Sequence, residues 1–146
     1  MSLQTDAIFI KVLSQSSDIA AIVGDQIYST AIPLPEEDAD NVDVPYIIVS
    51  FDGLQNDAFT KDTKYEGSLD KVQVGVTIVA ETRPKLAELA ELVRNVISRS
   101  LENMQDNDED YALVPIDYGL TAQAVQYDSI KPCYWQVLNY SCDTSV

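Results

Sequence analysis

The chain has 146 residues, 46% apolar and 23% charged, a balance that supplies enough apolar surface for one core and excludes disorder of the whole chain. With 24 acidic side chains against 9 basic ones and no histidine, the formal charge is −15. Such a surface repels phosphate, and the missing histidine excludes Ser-His and Cys-His nucleophile pairs and every His-containing metal site.

One domain over residues 1–146 is expected from the length. No apolar run approaches the roughly 20 residues that cross a bilayer, and the start, Met1 to Asp6, lacks a basic segment followed by an apolar one. The expectation is no membrane partner and no secretion route.

The first elements read as helical. Thr5 suits the N-cap of a short helix with Ile8, Phe9, Val12 and Leu13 on one face, and Ser17 the N-cap of a second with Ile19, Ile22 and Val23 before Gly24. Gly24-Asp25 is a turn signal, Ile27-Tyr28 a brief strand, and residues 33–43 a polar acidic loop. Pro45 to Phe51 is β-branched and aromatic, a largely buried strand ending in a turn at Asp52-Gly53. Residues 54–68 are polar and irregular.

Over residues 71–80, Val72, Val74, Val76 and Ile78 alternate with Lys71, Gln73, Gly75 and Thr77, the period of a strand with one core face and one wetter face. Gly75, inside this strand, marks a bulge or a close approach of another backbone. Thr82 then caps a helix with Pro84 in its first turn and Leu86, Leu89, Ala90, Val93, Val96, Ile97 and Leu101 at helical spacing. Glu91 and Arg94 are three apart on its outer face and can pair. Residues 102–110 read as a second acidic loop, and residues 111–117, 119–127 and 133–141 as three strands. Consecutive strands with short connections favour antiparallel pairing. The fold class is therefore α+β: an antiparallel β-sheet packed against one long amphipathic helix plus short N-terminal helices.

Few groups are primed for chemistry. The carboxylates of residues 36–43 and 106–110 lack apolar neighbours that would raise a carboxyl pKa, so they read as solvated charge. Asp106-x-Asp108-x-Asp110 matches the first ligands of a calcium loop, but the sixth position holds Tyr111 where glycine is needed. Asn139-Tyr140-Ser141 is a bare glycosylation sequon without an export signal. The glycines are isolated, so no phosphate-binding loop forms. Basic residues are scattered apart from Lys61, Lys64 and Lys71, which leaves no patch for specific nucleic-acid binding. Cys133 and Cys142 would lie about 30 Å apart on one strand, which together with the missing export signal favours reduced thiols; a disulfide would need the chain to turn back between them. Aromatics concentrate in Tyr127, Tyr134, Trp135 and Tyr140. Alternation puts Tyr134 and Trp135 on opposite faces, so either at least one meets a partner or both sit in one core under the long helix or at a domain edge.

The order of the N-terminal helical segment, Val23-Gly24-Asp25-Gln26-Ile27-Tyr28, the Pro33 region, Val44-Pro45-Tyr46-Ile47-Ile48-Val49, and Val72-Gln73-Val74-Gly75-Val76 leading into the helix from Arg83 resembles the tail-completion (tail-terminator, head-tail joining) proteins of long-tailed phages and prophages. The resemblance covers residues 5–101, and loosely the strand around Trp135. It departs at the acidic insert of residues 35–43 and at the loop of residues 102–110. It implies a structural protein, hexameric as a ring in that family, that caps the finished tail tube and presents a surface to the head connector. The implied partners are copies of itself, the tail tube protein and the head-tail connector protein. No cofactor and no catalytic, cofactor-binding or metal-binding residue is implied. Its implied place is the virion tail, assembled in the bacterial host cytoplasm.

Physical scale is compatible with that expectation. A subunit about 35 Å across, arranged as six touching spheres, leaves a hole of similar width, and an acidic wall would let duplex DNA slide without sticking. Two rivals follow from the same residues. One is a monomeric acidic adaptor or inhibitor whose loops mimic a nucleic acid and occupy a basic partner. The other is an enzyme using carboxylates and tyrosines, which would need two acids converging in an apolar cleft, and no pair with such spacing stands out.

Overall fold

A computed structural model describes residues 5–29, 44–56, 69–107, 115–130 and 132–145. The elements in chain order are α1 (Thr5–Ser14), α2 (Ser17–Val23), β1 (Ile27–Ser29), β2 (Tyr46–Asn56), β3 (Leu69–Ala80), α3 (Arg83–Asn107), β4 (Pro115–Ala122), β5 (Gln126–Asp128) and β6 (Cys133–Ser145).

Local chemistry sets the helix ends. The Thr82 hydroxyl accepts from the Lys85 amide at 3.3 Å, and its carbonyl accepts the first helical bond, from Leu86, at 3.0 Å. Pro84 follows in the first turn, where a missing N–H costs nothing. Before α2 the cap is Ser16, one residue earlier than the sequence suggests: its extended backbone lets the hydroxyl accept from Ile19, leaving Ser17 as the first helical residue. Gly24 ends that helix at a positive φ of 63°, donating to Ala20.

The strands form a six-stranded sheet in the order β1-β2-β3-β6-β4, with β5 also on β6. Every pair is antiparallel except β1 and β2, which are parallel in register Ile27↔Ile47. The α+β class therefore holds, with a mixed sheet. β4 and β5 lie end to end along the same edge of β6. Between the pairs Ala122↔Leu138 and Gln126↔Trp135, residues 123–125 oppose only residues 136 and 137, which makes the junction a bulge. The Gln123 amide still donates to the Val137 carbonyl at 2.9 Å, and the Gln136 side chain donates to the Gln123 carbonyl at 2.9 Å.

The core fills the space between one sheet face and the helices. Val72, Val74, Val76, Ile78 and Ala80 of β3 point into it, as period two requires, together with Ile47, Val49, Leu138, Tyr140 and Cys142. Leu86, Leu89, Val93 and Ile97 of α3 close it from above, and Phe9, Leu13, Ile19 and Val23 seal one end. Ile8 and Val12 form a satellite contact with Val96. The Phe9 and Tyr140 rings meet edge to face at 5.3 Å.

Several expected boundaries move. Asp52-Gly53 is no turn: β2 runs on to Asn56, and the register slips between Phe51 and Gly53, a bulge made easier by Gly53 at φ 150°. α3 passes Leu101 and continues to Asn107, since Glu102, Met104 and Gln105 favour helix and nothing before Asn107 breaks it. The break placed at residue 118 is absent, because Tyr118 and Gly119 pair with Cys142 and Ser141 of the long strand β6. The acidic stretch at residues 33–43, residues 57–68 and residues 108–114 lie outside the described residues.

Candidate interaction surfaces

Among the described residues the helices cover only one face of the sheet. The other face carries Tyr28, Tyr46, Ile48, Thr77, Val79, Trp135 and Val137 at one end, by register. At the other end it is polar, with Ser50, Asp52, Lys71, Gln73 and Ser141; the Gln73 amide donates to the Ser141 hydroxyl at 3.1 Å. Val79 is only 4% exposed although it points away from the helices, because its register partners Tyr46 and Trp135 close over it. Tyr28 packs against Tyr46 with ring centroids 6.4 Å apart. Burial of Tyr46 pushes its hydroxyl pKa above the ordinary value of 10.0, and the nearby Cys133, Asp128 and Tyr28 push the same way.

The C-terminal aromatics divide as alternation requires. Tyr140 is buried, Tyr134 packs against the core, and Trp135 stands half-buried on the uncovered face, so one shared core for Tyr134 and Trp135 is ruled out. Tyr127 is 55% exposed and stacks at a tilt on Tyr134, 4.9 Å between centroids. Beyond them the β5–β6 hairpin tip carries Ile130, 94% exposed. The Ile130 amide donates to the Asp128 carboxylate at 3.0 Å, an Asx turn that fixes the tip. An isoleucine inside the otherwise polar stretch Asp128-Ser129-Ile130 is the sequence signal for this feature.

The second feature is a groove where α3 overhangs the β4 edge. It holds about 360 Å³ beside Arg94, Ser98, Leu120 and Tyr140, and continues into a hollow of about 260 Å³ beside Ala90, Glu91, Ala122 and Leu138. Small Ala90 and Ser98 on the helix flank leave this space, since α3 sits over β3 and β6 and β4 lies beyond it. Arg94 stands at the wall, 3.8 Å from Glu91 with both side chains more than half exposed, so this pair is weak and opens readily. The outer edge of β4 has no strand partner among the described residues.

Of the lysines grouped in the sequence, Lys71 lies exposed on a strand, and Lys61 and Lys64 fall outside the described residues. Cys133 and Cys142 sit nine positions apart on β6, so no bridge joins them to each other. Among the described residues, no three Cys, Asp or Glu side chains are grouped to hold a metal ion, and no helix is long and apolar enough to cross a membrane. Asp106 belongs to α3, while Asp108 and Asp110 of the calcium-like stretch lie outside the described residues.

The described residues thus form a mixed sheet with helices on one face, a second face that no described helix covers, and an edge with no described strand partner. The fold's likeness lies with a solved particle. The chain superimposes with a TM-score of 0.57 at 14% identity on a chain in the virion of a native gene transfer agent particle, covering 97% of this chain and 94% of that one. No protein-family model matches the chain, and no curated protein matches it either.

Proposed function

We propose that the protein is a structural, non-enzymatic component of a phage or prophage tail that caps the finished tail tube and joins it to the head connector as a ring, hexameric in the family it resembles. The observation that carries this reading is the fold shared, over nearly the whole of both chains, with a component of a gene transfer agent virion. The order of elements from Val23 to the α3 helix supports the narrower tail-completion role. In this reading residues 1–146 are one tail-terminator-like domain, its partners are its own copies, the tail tube protein and the connector protein, and it assembles in the bacterial cytoplasm before residing in the virion tail.

Contact is the chemistry that these surfaces offer. Among the described residues, a half-apolar sheet face without a helix over it, an unpaired edge and a groove bearing Arg94 and Glu91 present shape and hydrogen-bonding capacity. The formal charge of −15 suits a conduit whose wall does not hold DNA. Immunogold labelling of particles from a producing host tests the assignment: gold at the head-tail junction is expected, and gold confined to the head or to the distal tail tip would overturn it.

A further inference from the structure

We propose that the β5–β6 hairpin tip, with Ile130 at its apex, seats in the α3–β4 groove of a second copy, and that this contact joins neighbouring subunits. The inference rests on the ring reading above and specifies its interface.

The tip and the groove complement each other. Ile130 is 94% exposed and held outward by its bond to Asp128, so it is an apolar knob already ordered for contact. The groove is half polar, and Leu120, Leu138 and Ala122 give it apolar contacts with room for a branched aliphatic side chain. One charge pair can match as well. Two copies at −15 each repel, so a homotypic contact needs a local attraction; the groove wall carries Arg94 beside Glu91, and Arg94 is the side chain that meets the Asp128 carboxylate of the tip. The weak Glu91 contact leaves Arg94 able to turn toward the incoming acid.

The occupant cannot be the chain's own tip. Gln136 to Tyr140, at the groove, stand three to seven residues along β6 from Cys133, roughly 10 to 23 Å from the hairpin end. Tip and groove are different surfaces of one subunit, so joining them is head-to-tail and leaves one of each unused on every pair. Repetition of that contact closes a ring or extends a filament.

Sedimentation equilibrium tests this with two exposed variants, Ile130→Asp and Arg94→Glu, each checked for an unchanged fold by circular dichroism. Wild type is expected to gain mass with concentration up to about 1 mM, and each variant to associate at least about tenfold more weakly. Mixed one to one, the variants are expected to form a dimer that grows no further, because one retains a sound groove and the other a sound tip. A wild type that stays monomeric, an Ile130→Asp protein that associates like wild type, or a mixture that stays monomeric overturns the interface. Electron microscopy on tail tubes separates this failure from that of the ring itself: rings formed equally by wild type and Ile130→Asp leave the ring standing and remove only this contact.

Discussion

Asp52 folds over Gly75. A Cβ on Gly75 would stand 2.5 Å from the Asp52 Oδ2 and 2.8 Å from the Ser50 hydroxyl, which itself donates to the Asp52 Oδ1 at 2.8 Å. The bulge at Asp52 thus aims a carboxylate across the neighbouring strand, and the glycine is there to receive it. The close approach expected at Gly75 is real, but side chains make it and not a second backbone.

This relationship predicts a coupled pair. Gly75→Ala alone should cost up to about 1 kcal/mol, since displacing two movable side-chain ends offsets the gain from removing a strand glycine. In an Asp52→Ala background the same change should stabilise by roughly 0.5 kcal/mol. Urea unfolding of the four proteins measures the coupling, and strictly additive values would contradict the contact.

The burial pattern of α3 predicts a sharp contrast within one helix. Leu89 is fully buried and Glu88 exposed, so Leu89→Ala should lose about 2 to 5 kcal/mol and Glu88→Ala within about 0.5 kcal/mol. Midpoints of urea unfolding at constant slope check both.

Capping predicts a smaller effect at the start of the same helix. Thr82→Ala should destabilise by about 0.5 to 2 kcal/mol, and Thr82→Ser should recover most of it, because the serine hydroxyl can still accept from the Lys85 amide. Equal losses in the two variants would mean that the hydroxyl bond is not the source.

Tyr46 predicts an alkaline limit. Burial raises its pKa in the folded chain above the ordinary 10.0, so the folded state favours the neutral phenol. That contribution is fully present below pH 10 and is lost as pH rises through the raised value. Absorbance titration of the tyrosines should show a late-ionising component that Tyr46→Phe diminishes, together with part of the stability loss above pH 10.

The parts of this fold that periodicity encodes are legible in the sequence. Val72 to Ile78 alternate because one face of β3 meets the helices, and Leu86, Leu89, Val93 and Ile97 recur because α3 answers them. The parallel β1–β2 pair was not legible, since three residues carry no mark of strand direction. The Asp52-Gly53 bulge reads as a turn in isolation, because the same residues suit both, and only pairing with β3 decides. The groove depends on where α3 crosses the sheet, a tertiary fact that Ala90 and Ser98 hint at through size alone. Trp135 was readable as a face-switching aromatic, whereas the exposure of Ile130 emerges only once the hairpin is closed.

The most direct measurement is electron microscopy of the purified protein mixed with tail tubes. A ring closing one end of each tube, with tube growth arrested, is the result expected of a tail cap. Tubes whose ends stay bare and continue to lengthen, while the protein remains a monomer in solution, would contradict it and favour an acidic adaptor instead.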